Sequence, residues 1–448
     1  MAEDAPNPES ENEFLRMLGE LLSGSGGIDP AQLAGAAGLP NDPASLAALM
    51  AQLQVALNQS DGGANWTVAT TQGEQRAAAH ERAITDAERA ELSQAAQLAE
   101  LWLDEATELA TTGSAPKLMT RRQWVTATMP VWQSIAEPVS SSIADALVRV
   151  MNEQSSSEMQ SALSGAGSFM RSIGGTLFAM QLGHVVGQLA DEVVSGGDIG
   201  LPLLEGGQSA LLPQNIARFG EQLEIPRDQI SLYLSIRELA HARLFRHARW
   251  LQLEFLSSLT EFARGVHIDM SRLEELAESF DPSNPDDLRR ALSDGSLIPP
   301  KTESQRAALA RMETTLALIE GWVDSVTATA THRLPSGSAI AETIRRRRAS
   351  GGPAESALSA LVGLELRPRL LREAAAMWTT IGEHVGAANR DALWSHPDTM
   401  PTAADIADPS GLVARLTGTA TPSQDDLDFD AALEALLRGE TPPAPAED

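Results

Sequence analysis

The chain has no cysteine in its 448 residues. That excludes disulfides, a thiol nucleophile and any cysteine-built metal centre. Aromatic residues are scarce at 4%, with a single tyrosine, so small and aliphatic side chains supply most of the 43% apolar share. Such a composition favours helices packed closely through Ala and Leu. Basic residues are also in deficit: 33 Lys and Arg stand against 61 Asp and Glu, a formal charge of −28. So acidic a surface repels phosphate backbones and anionic bilayers, which argues against a nucleic-acid partner and against a membrane one. No long apolar run is present either. The most apolar stretch, Ile173 to Val194, is broken by Gln181, His184, Gln188 and Asp191, too often to span a bilayer. The start, Met1-Ala2-Glu3-Asp4, has no basic region followed by an apolar one and does not read as a signal peptide. The expected location is cytoplasmic. Neither Gly-x-Ser-x-Gly nor a phosphate loop ending in Gly-Lys occurs.

What is present is helical punctuation. Thr85-Asp86-Ala87-Glu88 is a capping box and predicts a helix running to about Leu109. Thr120 to Gln123 opens another, carrying Trp124 and Trp132, and 140–151 continues helical. The segment 165–194 is rich in small residues. Its Gly183-x-x-x-Gly187 pair fits close packing in a protein core better than a membrane dimer, given the polar residues nearby. Two short apolar runs, 199–204 and 208–212, flank Gly206-Gly207 and predict a β-hairpin. Pro226 and Asp228 are expected to start a long helix, and further helices are expected over 251–264, 271–280, 285–293, 303–330, 339–348 and 354–385. The fold class is mainly α, with at most that small hairpin. Residues 1–62 read as a flexible arm with short helices, 63–420 as one helical domain, and 421–448 as an acidic disordered tail.

The most informative segment is a near miss, Ile236-Arg237-Glu238-Leu239-Ala240-His241. A zinc-protease helix reads His-Glu-x-x-His: two histidines share one face and the glutamate activates water. Glu238 and His241 are here, but Arg237 stands where the first histidine belongs. Arginine has no lone pair to give a metal. At roughly 100° per residue, Ile230, Leu234, Arg237, His241 and Leu244 share a face, and Leu232, Ile236 and Leu239 form a second strip. A helix apolar on most sides is buried. Arg237 then needs an anionic partner from another segment, since Glu238 points roughly 100° away. A plainer reading makes Arg237, Glu238 and His241 a buried polar cluster that fixes helix register.

Several segments place this helix in context. Asn65-Trp66, 98–107, 120–128, Leu212 to Ile216, the helix around Glu238, Leu318-Ile319-Glu320-Gly321-Trp322, and 361–369 resemble a family of bacterial zincin-like candidate hydrolases labelled zinc-dependent metalloproteases. The resemblance spans about 65–410 and implies a zincin-like multi-helix domain. It maps the motif glutamate to Glu238 and the second histidine to His241, and makes Glu320 the candidate third ligand. It implies zinc if the chain is active and none if it is not. The expectation is that Arg237 replaces the metal electrostatically among Glu238, Glu320 and His241. None of His80, His184, His247, His267, His332 and His384 makes a second metal spacing, although His184 or His332 offers a rescuing ligand. The basic run Arg345 to Arg348 reads as an anion or RNA patch, or more simply as a solvated helix end suited to the helix dipole and to internal pairing. Three functions stay open: a non-catalytic homologue binding a peptide or protein partner, an active zinc hydrolase with Glu238 as general base, and a structural subunit of a cytoplasmic assembly.

Overall fold

The structure, a computed structural model, describes residues 64–153, 160–221, 223–265, 301–349, 370–419 and 438. The expected arm, the helices at 271–280 and 285–293, the segment 354–369 and nearly all of the acidic tail lie outside the described residues.

The described elements are α1 (Trp66–Ala78), α2 (Asp86–Leu103), β1 (Lys117–Leu118), α3 (Arg121–Glu153), α4 (Gln160–Glu192), β2 (Ala210–Leu211), α5 (Pro213–Glu221), α6 (Arg227–His247), α7 (Trp250–Arg264), α8 (Glu303–Ala330), α9 (Gly337–Ala349), α10 (Leu371–Ala392), α11 (Ala403–Ala407) and α12 (Pro409–Leu416). The fold is mainly α. The chain divides into two compact units. One comprises Met1–Ala69, Glu137–Met180 and Arg264–Thr302; the other comprises Thr70–Ala136, Gln181–Ala263 and Glu303–Asp448. In the first, the Trp66 indole donates to Glu137 at 2.8 Å.

The second unit is built around α6. Every residue from Ile230 to Phe245 is buried, as the two apolar strips require. Helix α2 packs on one side and α8 on another, and α10 lies against α8. The capping box at Thr85 forms as predicted, with Thr85 and Glu88 serving each other's backbone N–H. The helix it opens ends at Leu103 rather than Leu109. Beyond it, Thr107 and the Glu108 N–H both bond Asp391, at 2.6 and 2.9 Å, so tertiary contacts pull the chain out of the helix. Asp391 also accepts from the Trp322 indole of α8 at 2.9 Å. The Trp378 indole donates to the Leu318 carbonyl at 2.9 Å and its ring stacks on Trp394, centroids 5.3 Å apart.

The Gly183/Gly187 pair serves core packing. A methyl group at Gly187 would lie 2.7 Å from Arg76 Cβ and 2.9 Å from the Gly73 carbonyl, so α1 and α4 touch backbone to backbone. The expected hairpin is not one. Its second run does become β2, but Ala210 and Leu211 pair in parallel with Lys117 and Leu118 of β1. Residues 205–207 form a single 3-10 turn. Among the described residues, no helix is long and apolar enough to cross a membrane.

Candidate functional site

Helix α6 presents the near-miss motif to α8. Arg237 ion-pairs with Glu320 through one terminal nitrogen and with Asp324 through the other. Glu320 and Asp324 lie one turn apart on α8, so one planar guanidinium bridges both carboxylates. All three side chains are less than a tenth exposed. His241 is also buried. Its Nδ1 faces the Arg237 carbonyl at 3.0 Å and its Nε2 faces Glu320 Oε1 at 3.1 Å.

The partner expected for Arg237 does come from another segment, but the expected arrangement needs one correction. Glu238 is not part of the arginine pair. It projects from another side of the helix and accepts the Gly197 N–H at 2.8 Å and the Ala210 N–H at 2.7 Å. Its place beside Arg237 is taken by Asp324.

The loop 195–200, which follows α4, closes over the motif. The Gly196 N–H bonds the Ala210 carbonyl at 2.9 Å and fixes the loop to β2. A Cβ at Gly197 would fall 2.6 Å from His241 Cβ. Gly200 sits at φ +80° with its backbone against Glu320, where a Cβ would be 2.7 Å from Oε1. Only a residue without a side chain lets this loop lie so close to both groups. Asp198 is carried in the same loop, its carboxylate accepting the Val194 N–H at 3.0 Å.

A third element completes the site. The basic run at the end of α9 is not a solvated patch. Arg348 reaches the same oxygen of Glu320 that Arg237 holds, and donates to the Asp198 carbonyl at 2.9 Å. Arg347 pairs with Asp198 at 3.2 Å and Arg345 with Asp324 at 3.3 Å. Arg346 alone of the run faces outward, 78% exposed, paired with Glu342 one turn back. Internal pairing was the correct half of the simpler reading of this run.

Burial and neighbouring charge set the protonation of the cluster. Burial acts to lower the Arg237 pKa, but Asp324, with Tyr233 and Asp198, carries it above its ordinary value. Arg348 is pushed down to about 9, first by burial and then by the like charge of Arg237. Burial raises the Asp198 carboxyl, but Arg347 and Arg348 overcome it and hold the group below its usual value. Burial lifts Glu238 to about 7, against the stabilising donors of Ala210, Gly197 and Ser195. Tyr233, the one tyrosine, is driven up to about 12 by burial. His241 is held well below its ordinary value by burial and by Arg237 and Arg348, so its imidazole is neutral. A neutral ring has one proton. Both of its nitrogens face acceptors, so one of those two contacts has no proton in it.

The donor set does not fit a zinc ion. His241 and Glu320 are two ligands where a catalytic zinc needs three from the protein. The third position holds a guanidinium, and one oxygen of Glu320 is bonded by two of them. Among the described residues, no group of three His, Asp or Glu is placed to hold a metal. The suggested rescuing ligands are elsewhere: His332 is exposed on the Thr329 carbonyl at 2.9 Å, and the charge acting on His184 is that of Arg76.

Beside this cluster lies an open cleft of about 250 Å³, with Val194, Phe219 and Leu223 as its apolar lining and Arg218 and Arg347 as its cations.

A buried zincin-type helix, an acidic residue on a facing helix and a covering loop define the class. The chain belongs to the zincin-like metallopeptidase family, whose model it matches over residues 64–413. No curated protein matches it. A solved structure from Chloroflexus aurantiacus, described as a candidate hydrolase with a novel fold, shares the fold with a TM-score of 0.54 at 18% identity, over 79% of this chain and 99% of that one.

Proposed function

We propose that this chain is a non-catalytic member of its family, in which Arg237 has replaced the first zinc ligand and the retained surface binds a peptide or protein partner. The observation that carries the reading is the Arg237 guanidinium, bonded to both Glu320 and Asp324 in the buried centre. It bridges two carboxylates, and with Arg348 on the same Glu320 oxygen it leaves no room in the ligand set for a divalent cation. Glu238, the residue that would serve as general base, is committed to two backbone N–H groups. It acts there as a buried brace between α6, the covering loop and β2. The cleft is lined by Val194, Phe219 and Leu223 together with Glu192, Asn215, Arg218, Thr343 and Arg347, so it offers a partner a small apolar floor and a largely polar rim.

The runner-up is a working zinc hydrolase, favoured by one observation. The Glu238 carboxyl lies at about 7, where a general base is best poised. Incubation with a quenched-fluorescence peptide library and added zinc separates the two readings. The expected result is no cleavage by wild type, and library peptides retained by wild type but lost by Leu223→Arg in the cleft. Zinc-dependent cleavage that disappears in Glu238→Gln would overturn the proposal.

A further inference from the structure

We infer that the surrogate for the metal is a pair of guanidinium groups, Arg237 from α6 and Arg348 from α9, and that both must go before this site binds a divalent cation tightly. The inference rests on the reading of Arg237 as the replaced ligand and adds a second lock from a helix outside the motif.

Three observations carry it. Arg237 and Arg348 bond the same oxygen of Glu320, so restoring a histidine at 237 leaves that oxygen held by Arg348. Two unit charges also match the charge of one divalent ion, so the buried carboxylates see the balance that a metal would give them. Finally, part of a ligand set is already formed. His241 Nε2 and Glu320 Oε1 converge at 3.1 Å, while Nδ1 faces the Arg237 carbonyl at 3.0 Å. An Nδ1–H to a backbone carbonyl is the orientation that frees Nε2 to ligate. The ring is 1% exposed, so both contacts are shielded from water. Arg348 also holds the Asp198 carbonyl, which fixes it over Glu320.

The test uses the full chain purified without a metal-binding tag. Zinc per chain is measured by mass spectrometry, and Co²⁺ affinity from the visible absorption of a tetrahedral site, for wild type, Arg237→His, Arg348→Met and the double variant. The expected result is no zinc in wild type or Arg348→Met, and about one zinc per chain in the double variant. Arg237→His alone should bind on the order of 100-fold more weakly than the double. Arg348→Lys in the Arg237→His background keeps the charge and should still block. Circular dichroism confirms folding, and Arg348→Gln replaces Arg348→Met if that variant unfolds. Equal affinity in Arg237→His and the double variant would overturn the role of Arg348, as would a folded double variant that takes no metal. Stoichiometric zinc in wild type would instead overturn the underlying reading of Arg237.

Discussion

Removing the Arg237 guanidinium should destabilise the second unit far more than an ordinary ion-pair deletion. Arg237→Met keeps side-chain length and apolar bulk but deletes both bonds to α8. Asp324 retains only Arg345 at 3.3 Å, and that arginine is 41% exposed. Glu320 retains Arg348 and the His241 ring. Breaking a buried pair by removing one partner costs about 3–5 kcal/mol, because the remaining charge stays buried. One gain offsets part of this: Arg237 Nε is a buried donor with no acceptor, and its loss returns on the order of 1 kcal/mol. The net expectation is about 2–4 kcal/mol. Urea unfolding followed by tryptophan fluorescence reads it, because Trp322, Trp378 and Trp394 are fully buried in this unit. With a slope of about 3 kcal/mol/M, the midpoint should fall by about 1 M. Glu320→Gln in the same background removes much of the orphaned charge. A double-mutant cycle should then show about 2 kcal/mol of coupling, within the range found for residues in one ionic network. A loss below about 1 kcal/mol for Arg237→Met, or a cycle additive within about 0.5 kcal/mol, would refute the account of this arginine as the neutralising centre.

Other outcomes follow from the same contacts. Glu238 titrates at about 7 in the folded chain against an ordinary value of 4.5, so the folded state holds one more proton between those values. Stability from this group therefore falls as pH rises from 4.5 to 7 and is flat above. Glu238→Gln should remove up to about 1.4 kcal/mol per pH unit of that slope, and melting curves of both proteins from pH 5 to 8 that run parallel would contradict it. Gly197→Ala forces a methyl to 2.6 Å from His241 Cβ and should cost about 1–3 kcal/mol in chemical denaturation; a neutral result would mean the loop moves freely off α6. Trp322→Phe deletes the 2.9 Å bond to Asp391 and should cost about 1–3 kcal/mol in chemical denaturation; a neutral result would mean that the indole bond contributes nothing net.

The parts of the fold that were legible are those set by local chemistry. The capping box fixed one helix start at Thr85, and the apolar periodicity of 303–330 gave the bounds of α8, Glu303–Ala330. The burial of α6 on all sides followed from its two apolar strips. The errors fell where a distant segment decides. Helix α2 stops at Leu103 because Asp391, nearly three hundred residues on, captures the next turn. The run at 208–212 does hold a strand, Ala210–Leu211, but nothing local distinguishes a hairpin partner at 199–204 from a parallel partner at Lys117.

The site divides along the same line. Residues on one helix were readable from spacing alone: Arg237, Glu238 and His241 from the near-miss motif. Glu320 needed the family resemblance, since no spacing rule connects residues 79 apart in sequence. Asp324 left a usable signal that was missed. It stands four residues after Glu320, so both carboxylates project from one face of the buried stretch of this helix, and a buried arginine can bridge such a pair with its planar fork. Arg347 and Arg348 left none. Four consecutive arginines at a helix end look the same whether they face water or a buried acid, because composition records the charge but not which of the four turn to a buried acid. A helix turn puts Arg345 and Arg348 on one face, three apart, with Arg346 on another. Knowledge of a buried acidic pair on α8 would have told which of those faces to turn inward. A buried arginine at 237 requires carboxylates from a facing helix, and two such carboxylates require a second cation, which Arg348 supplies.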